Sequence, residues 1–113
     1  MDITEEQYAI LLNLINLHLP SVTVWACGSR VTGTSNAKSD LDLVIFSTKE
    51  HAANIASLRE ACEESSLPFR VDIVLWDDLP ETYQQSTKMQ HTVLVSNMVD
   101  EYIIEKKIEV GLT

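Results

Sequence analysis

The sequence predicts a single α/β domain, and three observations carry that reading. Segments with helical apolar spacing alternate with short runs of β-branched and aromatic residues. At 113 residues the chain has room for one hydrophobic core and little more. No internal repeat or low-complexity stretch interrupts the pattern.

Taken in order, Thr4-Glu5-Glu6-Gln7 has the form of a capping box, with Ile3 and Tyr8 placed as a hydrophobic staple. Tyr8, Leu11, Leu12, Ile15 and Leu19 then follow helical spacing, so a first helix is expected from about Glu5 until Pro20 stops it. Val22 to Cys27 reads as a first strand that ends at the Gly28 turn. A short helix from Ser29 would aim its N-terminus at a ligand. The small, polar stretch Gly33 to Ser39 leads into a second strand, Leu41 to Ser47. Thr48 is placed to cap the next helix, in which Ala52, Ile55, Leu58 and Cys62 share a face before Leu67-Pro68 ends it. The third strand is expected from Phe69 to Trp76. Asp77-Asp78-Leu79-Pro80 reads as a cap leading into a weaker helix through Met89, followed by a strand-like Thr92 to Val95.

Beyond Asn97 two patterns compete. Tyr102, Ile104, Ile108 and Val110 alternate as on a strand, yet Glu101 to Glu109 is equally plausible as helix. The chain therefore divides into a domain at 1–97 and a C-terminal segment at 98–113. That segment is too apolar for a free tail, and is either a partner-docking surface or a last element packed on its own domain.

Composition narrows the partners. Seventeen acidic residues against eight basic ones give a formal charge of −9, which argues against direct nucleic-acid binding, since that affinity comes largely from Lys and Arg replacing counterions. A basic protein or a metal-nucleotide complex suits it better. Cys27 and Cys62 are far apart and lack a C-x-x-C pairing, as expected of free thiols in a reducing compartment. The N-terminus is acidic and no apolar run approaches the ~20 residues of a membrane span, so the expectation is a soluble, cytoplasmic chain with no membrane contact.

The chemistry concentrates in one stretch: Gly28-Ser29, ten residues, then Asp40-Leu41-Asp42 at the start of the apolar run Leu43 to Phe46. A Gly-Ser turn can present bare backbone N–H groups to phosphate, while carboxylates two apart on a strand point the same way and can share metal ions. Asp40, Asp42, Val44 and Phe46 share one face of strand two, and Asp72, Val74 and Trp76 share one face of strand three. If the two strands are neighbours, three carboxylates converge at one end of the sheet. Two carboxylates ~4 Å apart would repel by about 4 kcal/mol at an effective dielectric of about 20, so the cluster invites a cation, and Mg2+ suits carboxylate and phosphate oxygens.

Taken singly, these residues carry less. Asp40 alone would cap a turn, Asp42 would sit on an exposed edge strand, Gly28 and Gly33 would be turn residues, and Arg30 a solvated charge. Asp72 in an otherwise apolar strand resists that reading, because an unpaired buried carboxylate is costly. Trp25 and Trp76 read as core rather than as base-stacking platforms. His18, His51 and His91 share no metal spacing and read as surface or locally bonded residues.

The Gly-Ser, ten-residue spacer and Asp-x-Asp arrangement resembles the signature of the polymerase-beta-like nucleotidyltransferase superfamily. The short length and the run Asp-Leu-Asp-Leu-Val-Ile are similar to its minimal nucleotidyltransferase (MNT) branch, whose members sit beside helical HEPN proteins in toxin-antitoxin pairs. The resemblance covers roughly Trp25 to Trp76. It implies a nucleotidyltransferase fold, a small mixed sheet with helices packed mainly on one face. It further implies that Asp40 and Asp42 bind two Mg2+ ions, while Asp72 helps bind the catalytic metal and activates an acceptor hydroxyl. The backbone around Gly28 and the Ser29 hydroxyl would hold the β- and γ-phosphates, with Arg30 as a charge clamp. Thr32 stands where many relatives carry a second basic residue, which leaves Lys38 as the nearest substitute. The activity implied is Mg2+-dependent transfer of AMP from ATP to a hydroxyl on a HEPN-type partner encoded nearby, making the chain its antitoxin. A non-catalytic nucleotide-binding antitoxin and a small-molecule nucleotidyltransferase completed as a homodimer are the alternatives.

Overall fold

In the computed structural model, which describes residues 1–97, the elements follow as α1 (Glu5–His18), β1 (Thr23–Cys27), α2 (Ser29–Thr32), β2 (Leu41–Phe46), α3 (Ala52–Glu64), β3 (Val71–Leu75), α4 (Glu81–Met89) and β4 (Thr92–Val95). The C-terminal segment, 98–113, lies outside the described residues. The strands form one sheet in the order β3-β2-β1-β4. β1 runs antiparallel to β2 and to β4, whereas β2 and β3 are parallel. The mixed sheet is the one that the resemblance implied.

The two faces of the sheet differ in chemistry because side chains alternate along each strand. Val24, Ala26, Leu41, Leu43, Ile45 and Ile73 point to one side, where they form the main core with Leu11, Ile15 and Leu19 from α1 and its C-cap and with Ile55, Leu58 and Cys62 from α3. The other side carries a smaller apolar cluster of Trp25, Val44 and Trp76. Trp25 lies 5.8 Å from Trp76 and 4.5 Å from Phe46, centroid to centroid, and His91 stacks on its face at 3.8 Å. Both tryptophans are therefore core. α4 covers part of this second face and leaves the rest open.

The start of α1 follows the capping-box reading: Gln7 N donates to Thr4 Oγ1 at 3.1 Å and Thr4 N to Gln7 Oε1 at 3.0 Å. Thr48 does not cap α3. A 3₁₀ turn, Lys49–His51, intervenes, closed by the His51 amide on the Thr48 carbonyl at 3.2 Å and by Ser47 Oγ against His51 Nδ1 at 2.5 Å. The helix starts after it, and Ala52 is exposed rather than on the buried face. β3 is shorter than the apolar run suggested, because Trp76 leaves the strand in a second 3₁₀ turn, Trp76–Asp78, and swings its ring onto Trp25. That turn absorbs Asp77 and Asp78, so neither caps α4, whose N-cap is Pro80. Both cysteines are free, and burial pushes the Cys62 thiol up to about 11.

Candidate functional site

Gly28 closes β1 with φ 84° and ψ −163°, a backbone conformation that side chains with a Cβ rarely adopt. The position is constrained a second way. A Cβ built on Gly28 would fall on the Asp42 carboxylate, 3.2 Å from its Cγ. Glycine thus lets the turn backbone lie directly against that carboxylate. The single helical turn α2 follows, with the amides of Val31 and Thr32 donating to the Gly28 carbonyl at 3.0 and 3.1 Å. Gly33, in the left-handed region at φ 82°, ends it. The amides of Ser29 and Arg30 lie at the N-terminal end of this turn, where helical geometry provides no internal acceptor.

β2 and β3 are neighbours, and their register places Asp42 directly beside Asp72 on the open face. Cys27 lies across from Asp42 on β1, and Asp40 is half-buried just before β2. Burial holds the Asp42 carboxyl above its ordinary range, and the negative charges of Asp72 and then Asp40 push in the same direction. Asp42 thus feels both of its acidic neighbours.

Asp72 departs from the reading that made it a buried, unpaired carboxylate. β3 is an edge strand, and the Asp72 side chain is 42% exposed, with Arg70 Nε 3.2 Å from its Oδ1. A solvent-facing pair of this kind contributes little stability, so Arg70 does not lock the carboxylate away. Water and an incoming hydroxyl can both reach it.

Among the described residues, no three His, Cys, Asp or Glu side chains form a closed ligand cluster for a metal. The chemistry of the donor set still fits a hard divalent cation. Burial, Asp72 and Asp40 all disfavour the charged form of Asp42, and Mg2+ typically takes one or two carboxylates and completes its shell with water and phosphate oxygens.

Arg30 is turned away from the site, which corrects its assignment as a charge clamp. Its side chain is buried, its Nε donates to the Ser39 carbonyl at 2.9 Å, and its Nη1 donates to the Asp2 carbonyl at 2.8 Å. Nη2 reaches the Asn36 carbonyl at 3.4 Å, and the guanidinium lies 4.4 Å from the Phe69 ring centroid. A planar fork with several donors suits this task, and it fastens the loop that delivers Asp40. Lys38 is exposed on that loop and does not line the cavity, and Thr32 is exposed at its rim with its hydroxyl 2.8 Å from that of Thr34. Ser29 is half-buried beside Gly28.

A cavity of about 870 Å³ opens over this end of the sheet, with Gly28, Asp42 and Asp72 in one part of its lining and Tyr83, Ser86 and Thr87 from α4 in another. The contribution of α4 was missing from the sequence reading. Its signal was the i, i+4 pair Tyr83 and Thr87, which puts two hydroxyl-bearing side chains on one helix face. Thr87 Oγ1 donates to the Tyr83 carbonyl at 2.8 Å, and Thr87 also hydrogen-bonds the Cys27 side chain. Burial, and after it the Asp42 charge, raise the Cys27 thiol above its usual range, while the Thr87 bond opposes them. Cys27 is thereby a poor nucleophile and serves as packing beneath the carboxylates. Cationic side chains do reach the cavity, namely Arg59 and Arg70.

Comparison with known proteins identifies the family. Residues 10–95 match the family model described as a nucleotidyltransferase domain. A probable protein adenylyltransferase MntA from Haemophilus influenzae is 38% identical over 96 residues, covering 83% of either chain. Among solved structures, a toxin-antitoxin crystal structure with AMP-PNP contains a chain that superposes with a TM-score of 0.63 at 21% identity, covering 91% of this chain and 85% of that one. At that identity the likeness speaks for the fold.

Proposed function

The chain belongs to the nucleotidyltransferase domain family, and from that premise we propose a Mg2+-dependent transfer of AMP from ATP to a hydroxyl on a partner protein. The partner proposed is a helical HEPN-type toxin encoded nearby, for which this chain is the cytoplasmic antitoxin. One observation carries the chemical part: the Gly28 backbone lies against the Asp42 carboxylate, with Asp72 in register beside it. Backbone donors for phosphate and acidic groups for a cation meet at one point. The toxin-antitoxin pairing draws support from the adenylyltransferase relative and from the fold of the toxin-antitoxin neighbour.

In this reading Asp40 and Asp42 hold Mg2+, which would neutralise the phosphates and the charge that develops as pyrophosphate leaves. The backbone at Gly28 and Ser29 positions the β- and γ-phosphates. Asp72, reachable from solvent on the edge strand, takes the proton from the acceptor hydroxyl as its oxygen attacks the α-phosphorus. Arg30 holds the 36–39 loop so that Asp40 keeps its place. With Lys38 off the cavity wall, Arg59 and Arg70 are the cations within its lining.

Asp72→Asn tests the division of roles. Turnover onto the partner is expected to fall at least ~100-fold, with a smaller change in Mg-ATP affinity. Labelled ATP and Mg2+, incubated with and without the neighbouring gene's product, give the readout; equal turnover in mutant and wild type would show the third carboxylate misplaced. A second reading, neutralisation by complex formation alone, draws on the inward-turned Arg30, which leaves the triphosphate grip without a clamp from α2. It predicts tight partner binding with no label transferred. Label appearing on a small hydroxyl compound without any protein partner would instead favour the homodimeric small-molecule enzyme.

A further inference from the structure

The cavity lining is mixed. Gly28, Asp42 and Asp72 make part of it polar and acidic. Val74, Leu79 and Tyr83 add apolar and aromatic surface to the lining, with Arg59 at the sheet edge on the Ile73 carbonyl. Val74 follows Asp72 by two residues on the same face of β3, so apolar surface begins one pleat beyond the carboxylates. It is 39% exposed, and Tyr83, on α4, is 63% exposed. The other aromatic rings of this face are already engaged with one another: Trp25 with Phe46, Trp76 and His91, and Phe46 with Trp76. Tyr83 stands outside that cluster and presents its ring to the cavity.

With a divalent cation held by its aspartates, this lining would complement a nucleoside triphosphate, whose anionic end would meet the cation and whose flat π-surface would meet the apolar residues. Resting on the nucleotide-binding reading above, we propose that Tyr83 is the platform on which the nucleobase stacks, with Val74 supplying the apolar floor. Aromatic stacking of a base is tolerant of hydrogen-bond pattern but grows with ring area, so the site should favour purine over pyrimidine triphosphates. Tyr83 then sets base preference without touching the reacting atoms.

Binding of Mg-ATP, Mg-CTP and Mg-tripolyphosphate, measured by calorimetry on the full chain and on Y83F and Y83A, tests the assignment. Y83F should match the wild type, since the ring does the work. Y83A should weaken Mg-ATP about tenfold, narrow the ATP-to-CTP ratio, and leave Mg-tripolyphosphate unchanged. Circular dichroism on Y83A checks the fold, which an exposed side chain should hardly affect. Equal Mg-ATP affinity in Y83A, a loss in Y83F as large as in Y83A, or a parallel loss of tripolyphosphate would each overturn the stacking role. Should the wild type bind neither ATP nor tripolyphosphate, the nucleotide reading itself falls and takes this one with it. If only Y83A is indifferent, the stacking assignment falls alone.

Discussion

Asp42 is held where its ionised form is disfavoured. Burial and two neighbouring carboxylates raise its proton affinity in the folded chain relative to the unfolded one. The linkage follows directly: its stabilising contribution is full below the unfolded-state value and is lost as pH rises through the raised, folded-state value. Asp42→Asn removes that loss. In chelator at neutral pH the variant should therefore melt a few degrees above the wild type, and the gap should close as the pH is lowered into the range where Asp42 protonates. Thermal melts followed by circular dichroism across pH check this, and the double variant Asp40→Asn/Asp42→Asn should lose metal-dependent ATP binding while keeping its fold. A variant that melts lower than the wild type at neutral pH would remove the electrostatic argument. The glycine at 28 belongs to the same scale, since its missing Cβ is what allows the carboxylate and the turn to meet.

At the scale of elements, the loop between α2 and β2 depends on one side chain that reaches into it. Arg30→Met would remove the hydrogen bonds to the carbonyls of half-buried Ser39 and exposed Asp2, each contributing about 0.5–1.5 kcal/mol, together with the packing of the buried side chain. A loss of at least ~2 kcal/mol in urea denaturation is expected, with Mg-ATP binding weakened through Asp40, and Arg30→Lys should not restore it because an ammonium lacks the planar fork. This role was invisible in the sequence, where an arginine after Gly-Ser looks like a phosphate ligand. What was legible came from local rules: the capping box at Thr4 and Gln7, the strand that stops at Gly28, and the Thr92 to Val95 strand all follow from spacing and short-range chemistry. The neighbouring of β2 and β3, which brings Asp72 beside Asp42, could be posed only as a condition. The less legible parts depend on tertiary partners. The His51 contact with Ser47 displaces the start of α3, Trp25 packs edge-on against Trp76 beyond the end of β3, and α4 is held over the site by Thr87 against Cys27 and by His91, just past its end, on Trp25.

At the scale of the molecule, Asn97, the last described residue, is tied back to the sheet. Its amide donates to Thr23 Oγ1 at 3.0 Å and its Nδ2 to the Ser21 carbonyl at 2.6 Å, which fastens the chain after β4 to the start of β1. A chain ended after Asn97 is therefore expected to fold by circular dichroism and to bind Mg-ATP, while losing its partner in a pull-down, if the 98–113 segment is the docking surface we propose. Unfolding of the shortened chain, or undiminished capture of the partner, would assign that segment to the domain or to nothing at the interface.

The strand order has a consequence for how the chain comes into being. Among the described strands β1 is an inner one, yet one of its two neighbours, β4, is made after the other three. At about 5–20 residues per second, the ribosome takes several seconds between releasing Cys27 and releasing Val95. During that interval one edge of β1 has no strand beside it, and the Trp25 ring lacks the His91 that will stack on it. A nascent chain stalled before Thr92 is thus a sheet with an open inner edge and an uncovered indole, prone to join another chain. The cavity stays incomplete until α4 has emerged, and the described sheet until β4 has.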